Sequence, residues 1–194
     1  MGSPPDPIRE FLELFDRAKR RDDLDATVST LATANTDAEP SARVVLLKHV
    51  DDRGFVFYTN FESRKAHELD SNPRAALCLY WPWIDCQVRI EGTVKRTSNE
   101  DSDAYFASRP RGSQLGAWTS KQSHPLGSRR ELVTRFLEIK ARFLGKTIPR
   151  PDFWGGYRLT PTKIEIWYNQ LHRLHDRFLY RKVDNSWSRK RLYP

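Results

Sequence analysis

The chain has 194 residues, 38% hydrophobic and 30% charged, and its six Trp, seven Tyr and ten Phe argue against disorder and for one packed domain over residues 1–194. Its 33 Lys and Arg exceed its 25 Asp and Glu, and the formal charge of +8 favours an anionic partner such as phosphate or nucleic acid. The two cysteines exclude a disulfide scaffold and indicate no metal site, and without an apolar leader or span we expect a cytoplasmic protein away from membranes.

The first predicted element is a helix within residues 1–20. Asp6 and Pro7 are typical of a helix cap and first turn. Apolar residues then recur at the spacing of one helical face: Ile8, Phe11, Leu12 and Phe15. We expect this helix to dock on the core.

From residue 26 onward, β-branched and apolar runs alternate with turn residues, which predicts antiparallel strands. Ser63 is expected to cap a short helix that ends near Asn72 and Pro73. The strands predicted before and after this helix are 27–34, 42–50, 55–60, 75–81 and 87–96.

Two further helices are predicted at Ser98, with Asp101 three residues on, and at Ser128, with Glu131. The apolar face of the later helix is carried by Leu132, Phe136 and Phe143. Strands are then expected at 154–159, 163–167 and 177–183, followed by a turn at 184–185 and a last strand around Trp187. Many short strands with a few helices predict a mainly antiparallel β-barrel with α additions.

Signature motifs for nucleotide, acyl-transfer and zinc chemistry are absent from the sequence, so any phosphate must be held by side chains. Arg43 and Lys48 share one predicted strand. Arg64 and Lys65 begin a helix, where unpaired N–H groups and the helix dipole attract anions. Taken alone, each pair also fits an ordinary solvated surface.

Tyr105 and Arg109 fall on one helical face, and Ser113 follows, so three different donors can converge on one phosphate. In HRLHDRF, residues 172–178, an extended chain would project Arg173, His175 and Arg177 from one face. Two cations beside an imidazole suit an anionic or electron-rich aromatic ligand, and a solvated strand face is the alternative.

Five segments carry a family pattern when they are taken together: RVVLLK (43–48), FYTNFESRKA (57–66), YFASRPRGSQLGAWTSKQS (105–123), FWGGYRL (153–159) and RLHDRF (173–178). In order and separation they closely resemble the pyridoxamine 5′-phosphate oxidase family, over nearly the whole chain. The resemblance implies an FMN-binding split β-barrel and a homodimer with two FMN sites between its subunits. Residues 150–194 would be a dimerisation and substrate segment of the same domain.

The resemblance also implies ligand contacts. Those to FMN would come from Arg43, Val44, Val45, Leu46, Leu47, Lys48, Tyr58, Thr59, Arg64, Lys65, Gln87, Gln122, Ser123, Trp167 and Arg177. The substrate phosphate would bind Lys48, Tyr105, Arg109 and Ser113. Arg173 and His175 would bracket the substrate ring as catalytic residues that orient it and steady its charge.

The implied reaction converts pyridoxamine or pyridoxine 5′-phosphate to pyridoxal 5′-phosphate, with O2 as electron acceptor and H2O2 as product. One alternative is a flavin oxidase of the same fold that acts on another substrate, as in phenazine pathways. The phosphate cluster around Arg109 argues against it. A basic nucleic-acid-binding module is the second alternative, and the even spread of Lys and Arg along the chain weakens it. We therefore expect neither nucleic acid nor membrane as a partner.

Two departures from the family pattern concern loop shape. WYNQL, residues 167–171, stands where the family has a glycine-bearing turn, and His124–Pro125 follows SKQS where small polar residues are more usual. Neither departure removes a proposed contact, but both lie close to the expected flavin.

Overall fold

The computed structural model describes residues 5–184 and 186–194, which form eight strands and five helices. The strands are β1 (Val28–Ala34), β2 (Pro40–Asp51), β3 (Gly54–Asn60), β4 (Arg74–Trp81), β5 (Cys86–Arg96), β6 (Trp154–Tyr168), β7 (Asp176–Val183) and β8 (Ser186–Leu192). The helices are α1 (Pro7–Ala18), α2 (Arg64–Ser71), α3 (Asn99–Ser108), α4 (Arg111–Thr119) and α5 (Arg129–Arg142). In this part of the chain, no helix is long and apolar enough to cross a membrane.

The strands form one antiparallel sheet in the order β3-β2-β1-β4-β5-β6-β7-β8, and an additional pairing of β3 with β6 closes six of them into a barrel. The first half of β6 makes this closure, from Trp154 opposite Asn60 to Leu159 opposite Phe55. The second half of β6 pairs instead with β7. The predicted mainly antiparallel split barrel with helical additions is confirmed.

Strand alternation fills the barrel with every second side chain. On β5, Val88 and Ile90 are fully buried, whereas Gln87 and Arg89 point outward. Because directly paired residues share a face, the same alternation runs across all the strands and divides an apolar interior from a mixed outer face.

Helix α1 closes part of the barrel, as its apolar spacing predicts. Phe11 is fully buried and meets the Phe55 ring edge-on at 4.9 Å. The Glu10 carboxylate accepts hydrogen bonds from the hydroxyls of Tyr168 and Tyr180, which ties the helix to β6 and β7. Asp6 caps the helix by accepting from two backbone N–H groups of the first turn.

A second core lies beneath the helices α3, α4 and α5. It comprises Phe106, Leu115, Phe143, Ile148 and Trp154. The caps expected at Ser98 and Ser128 are confirmed, because each hydroxyl accepts from the N–H group three residues later. This core places the ends of α3 and α4 over the rim of the barrel.

Two local expectations are wrong, and one helix was not predicted. The strands expected at 154–159 and 163–167 are one strand, β6, because β5 shifts register at Gly92 and leaves room opposite Thr160 and Pro161. Helix α4 is missing from the sequence prediction because two glycines and a preceding Pro110 weaken its local signal. The Ser63 hydroxyl donates to the Asn60 carbonyl and does not cap α2.

Part of the expected turn at 184–185 lies outside the described residues. Asp184 is described and has a φ of 47°, the left-handed conformation that tight turns use.

Candidate active site

A cavity of about 430 Å³ opens where β2 and β3 meet α2, α3 and α4. Eleven of the residues predicted from the sequence line it: Val44, Val45, Leu46, Lys48, Tyr58, Thr59, Lys65, Tyr105, Arg109, Ser113 and Gln122. Five further lining residues were not predicted: Asn60, Gly116, Ala117, Ser120 and Trp154. The volume suits a small organic ligand.

One end of the cavity holds a buried lysine. The Lys65 ammonium group donates to Thr59 Oγ1 at 3.1 Å, to Ser63 Oγ at 3.1 Å and to Gln122 Oε1 at 3.0 Å, all neutral acceptors. Burial, together with the nearby charge of Arg43, lowers the pKa of Lys65 to about 8, although the charge of Glu68 partly opposes this shift. A buried cation among neutral groups is a site for an anion.

Arg43 and Arg64 lie beside this end but do not line the cavity. Both guanidinium groups bind the carboxylate of Glu68. Burial alone raises the pKa of Glu68, but hydrogen bonds from Ser41, Thr33 and Arg64 and the charge of Arg43 outweigh it and hold this pKa at about 2. Glu68 is therefore fully ionised near neutral pH.

Ser123 and Leu47 also lie away from the cavity. Ser123 lines a neighbouring groove together with Arg64, and its φ of 70° is left-handed. The side chain of Leu47 is buried in the barrel core.

The other end of the cavity holds a second cation, the half-buried Arg109. The Arg109 guanidinium lies over the Trp154 ring, 4.6 Å from its centroid, and burial lowers its pKa. Among residues 5–184 and 186–194, its buried Nη1 atom has no hydrogen-bond partner. Such an atom is costly to leave unpaired, so it indicates a missing acceptor.

The N-terminus of α4 faces the same end. Its N-cap residue is Pro110, which has no side-chain acceptor, and Ser113 stands in the first turn. The positive end of the helix dipole therefore adds to the charge of Arg109.

Three aromatic rings that line the cavity form a stack, which we call the aromatic wall. The rings of Tyr58 and Tyr105 are stacked with centroids 3.9 Å apart, and Tyr58 lies 5.4 Å from Trp154 at an angle of 9°. The sequence interpretation placed Trp154 at the start of a strand and within the FWGGYRL segment but assigned it no ligand contact. Its signal was the Trp-Gly-Gly run, in which Gly155 and Gly156 allow the close approach of neighbouring side chains.

The remaining predicted residues form a second group, away from the cavity. Gln87 pairs across the sheet with Trp167, and Trp167 pairs with Arg177. The His175 ring lies 4.5 Å from Trp167, and Arg173 is on the adjoining loop. Arg177 is already held by Glu165, at 2.8 Å.

The expected extended row of Arg173, His175 and Arg177 is wrong. Residues Leu171–Arg173 form a 3-10 turn, His172 and Arg173 have left-handed φ values of 57° and 62°, and β7 begins only at Asp176. The Gln170 N–H donates to His175 Nδ1 at 3.2 Å and closes the loop. With Nδ1 accepting this bond, the opposite ring nitrogen, Nε2, is left for a ligand.

The cavity and the second group share the outer face of the sheet. A ladder of direct pairs joins Val44 to Thr30, Thr30 to Cys78 and Cys78 to Arg89, and it continues through Glu165. Along this ladder four strand pairings separate β2 from β6, whereas β3 alone lies between them where the barrel closes. Within the described part of one chain, no residue of the second group lines the cavity.

This outer face is partly apolar. Val44, which lines the cavity on β2, is 63% exposed, and Tyr80 on β4, which pairs with Gln87 of the second group, is 56% exposed. Large exposed side chains on a sheet face are typical of a surface that contacts another protein.

Comparisons with known proteins cover the whole of this architecture. A family model described as pyridoxamine 5′-phosphate oxidase matches residues 8–143, and one described as pyridoxine 5′-phosphate oxidase C-terminal dimerisation region matches residues 154–194. The chain is 55% identical to a curated pyridoxine/pyridoxamine 5′-phosphate oxidase of Rubrobacter xylanophilus, with 100% of this chain and 89% of the relative covered. The relative of that name from Myxococcus xanthus strain DK1622 is 52% identical, with 98% and 93% covered.

Two solved structures are similar to the fold. PhzG from Burkholderia lata 383, in complex with tetrahydrophenazine-1-carboxylic acid, matches with a TM-score of 0.93 and 32% identity over 98% of this chain and 94% of that one. A pyridoxamine 5′-phosphate oxidase-related, FMN binding protein from Nostoc punctiforme matches with a TM-score of 0.76 and 18% identity over 99% and 100%. The second likeness concerns the fold alone.

Arg109 Nη1, which lacks a hydrogen-bond partner, predicts that anion binding stabilises the protein and that the anion-free protein loses no stability when this guanidinium is removed. Inorganic phosphate should raise the melting temperature of the wild-type protein by supplying the missing acceptor, and Arg109→Gln should reduce this increase. Without phosphate, the variant should be at least as stable as the wild type, because it buries no unpaired guanidinium. Thermal unfolding over a phosphate titration measures both effects. Lys140→Gln, which removes an exposed cation on α5, is the control, and an equal phosphate effect in the Arg109 variant would contradict the assignment.

Proposed function

Because the chain belongs to the pyridoxamine 5′-phosphate oxidase family, we propose that it oxidises pyridoxamine and pyridoxine 5′-phosphate to pyridoxal 5′-phosphate, with FMN as cofactor and O2 as electron acceptor. The resemblance of the five sequence segments to this family is confirmed. The observation that carries the proposal is the cavity with a separate, unneutralised cation at each end, Lys65 and Arg109. A cofactor phosphate and a substrate phosphate satisfy these two ends.

The Lys65 end fits the phosphate of FMN. The Lys65 ammonium group is buried among neutral acceptors, and the uncapped N-terminus of α2 adds a partial positive charge. Thr59 and Gln122, which now accept from Lys65, would remain as neighbours of the phosphate. The apolar edge of β2 at Val44 and Leu46 would support the flavin ring.

The Arg109 end fits the substrate phosphate. Arg109 offers a free Nη1 donor, Lys48 and Tyr105 line the same cavity, and Ser113 offers a hydroxyl from the first turn of α4. Trp154 holds the guanidinium in place by lying flat beneath it. Together these groups would bind a dianion by charge-assisted hydrogen bonds.

Catalysis by this chain is a matter of positioning. Bound FMN would supply the redox chemistry, namely acceptance of a hydride from the substrate and reoxidation by O2 to give H2O2. The residues at each end of the cavity fix one phosphate, and the distance between them sets where the reactive carbon lies. The aromatic wall of Tyr58, Tyr105 and Trp154 excludes water from one side of the cavity.

Residues 154–194 match a dimerisation region, which indicates a homodimer. This region covers β6, β7 and β8. We propose that each cavity is completed by the other subunit. The cavity and the second group lie on one outer face, so a two-fold axis between them would bring the partner's Trp167 and the partner's Arg177 opposite the cavity. In that arrangement the partner's His175 would present its free Nε2 atom to the substrate ring.

The compound in the PhzG structure matches the charges of this cavity less well than a phosphorylated substrate does. That protein was solved with a phenazine carboxylic acid and shares 32% identity, whereas the relatives named as vitamin phosphate oxidases share 52 to 55%. A substrate without an anionic group would leave Arg109 Nη1 unpaired, and a carboxylate brings about one negative charge where a phosphate monoester brings about −1.5 to −2. The cluster around Arg109 assigns part of the positive charge of the chain to binding a small molecule. The nucleic-acid alternative does not explain why these cations line a cavity.

An oxidase assay tests the proposed function. Purified protein with FMN and O2 should form the pyridoxal 5′-phosphate aldehyde and H2O2 from each phosphorylated substrate. Pyridoxine without phosphate should react poorly, because it lacks the group that the Arg109 end binds. The aldehyde is measured by its absorbance and the peroxide by a coupled peroxidase. A protein that binds FMN yet makes no aldehyde from either phosphate would contradict the proposal.

Mixed dimers test the shared site. Arg109→Gln changes the cavity, and Arg177→Gln changes the second group. If each cavity combines Arg109 of one subunit with Arg177 of the other, a dimer of the two variants has one cavity with both substitutions and one cavity with neither. Random exchange of equal amounts should restore roughly a quarter of wild-type activity. If each site lay within a single chain, mixing would restore nothing. Each variant assayed alone, before and after the same exchange procedure, is the control.

Lys65 predicts how FMN binding depends on pH. Its pKa is about 8 in the free protein, and a bound phosphate favours the charged form, so the pKa in the complex is higher. FMN affinity should thus be nearly constant between about pH 7, where the phosphate is largely dianionic, and pH 8, and it should fall by up to about tenfold per pH unit above pH 8. The Lys65→Arg variant stays charged over this pH range, so its FMN affinity should not decrease above pH 8. Quenching of flavin fluorescence measures the affinity, and an unaltered pH profile in the variant would refute the assignment.

A further inference from the structure

A buried carboxylate lies between the two arginines beside the FMN phosphate site. Glu68 of α2 is 5% exposed. Its Oε1 atom accepts from Arg64 Nε at 2.8 Å. Its Oε2 atom accepts from Arg43 Nη2 at 3.2 Å and also from the hydroxyls of Thr33 and Ser41. The carboxylate therefore joins the first turn of α2 to strands β1 and β2.

Simple electrostatics argues against a carboxylate at this place. A negative charge a few ångströms from a phosphate site repels the ligand, the more so in a partly buried setting. Burying a carboxylate is itself unfavourable unless its partners compensate. The four donors around Glu68 supply that compensation, and they also show which groups it holds: two cations from two different elements.

We infer that Glu68 is a positioning residue for the cofactor phosphate, holding the side chains of Arg43 and Arg64 and the first turn of α2 in the arrangement that binds FMN. The inference rests on the proposed function, because FMN is the anion assigned to the Lys65 end. Glu68 itself does not line the cavity, so it acts through the cations and not by contact with the cofactor.

The local charges support this role. Arg43, Arg64 and Lys65 carry three positive charges and Glu68 one negative charge, which leaves a formal charge of +2. A phosphate monoester carries a charge of about −1.5 to −2 at neutral pH. Without Glu68, two guanidinium groups would lose their common acceptor and repel each other.

The far end of α2 offers a control for mere anchoring of the helix. Asp70 accepts from the Tyr157 hydroxyl at 2.9 Å and from Arg96 at 2.6 Å, which ties the C-terminal half of α2 to β5 and β6. Asp70→Asn weakens this tie but leaves Arg43 and Arg64 with their acceptor. It therefore separates general docking of the helix from positioning of the two arginines.

The test compares FMN with riboflavin, which lacks the phosphate, by fluorescence titration of the full-length apoprotein. Glu68→Gln keeps the shape of the side chain and should lower FMN affinity about tenfold, while riboflavin affinity stays within about twofold of wild type. Glu68→Asp keeps the charge but cannot bridge both arginines, and it should lower FMN affinity too. Glu62→Gln, which removes an exposed carboxylate just before α2, and Asp70→Asn should both keep the wild-type preference for FMN.

Several results would overturn the inference. A gain in FMN affinity in Glu68→Gln would mean that the carboxylate only repels the phosphate, and full affinity in Glu68→Asp would mean that its charge alone matters. Equal losses for FMN and riboflavin, or a matching loss in Asp70→Asn, would make Glu68 a general scaffold residue. If wild-type protein binds FMN no better than riboflavin, the FMN assignment of the proposed function fails together with the inference.

Discussion

The pairing of β3 with β6 closes the barrel, and it also assembles the cavity. Its register sets Tyr58 opposite Gly156, Thr59 opposite Gly155 and Asn60 opposite Trp154. The end of β3, which supplies an acceptor for Lys65, is thereby brought beside the tryptophan that supports Arg109. Two small glycines at the pairing keep the strands close where the bulky rings stack. Without this closure, Lys65 and Arg109 would not lie at the two ends of one cavity.

Both ends of the cavity use cations that the protein itself leaves incompletely neutralised. Burial lowers the pKa of Lys65 and of Arg109, so each charge is held against its preference for water. A native structure accepts such strain where a ligand relieves it, and functional sites are where perturbed groups collect. Glu68, a few ångströms away, differs from these cations because hydrogen bonds and positive charges from its partners compensate its negative charge.

Local patterns predict most of the fold, and tertiary packing accounts for the parts they miss. Alternation and the caps at Ser98 and Ser128 locate strands and helices because these signals lie within a few neighbouring residues. The sequence around Pro161 predicts a break between two strands. In the structure, β6 continues past Pro161 because Gly92 on the facing strand leaves room for it. Spacing alone identifies the cationic clusters, but only the family resemblance identifies flavin and vitamin. The position of Trp154 depends on a strand pairing between distant segments, which no local pattern contains.

The proposed shared site would link cofactor retention to protein concentration. In that site, a separated chain would keep the cations of its cavity but lose the residues that the other subunit would supply from β6 and β7. Dilution that dissociates the dimer would then also release flavin, and excess flavin would favour the dimer by mass action. Cofactor binding and subunit assembly would be one coupled equilibrium.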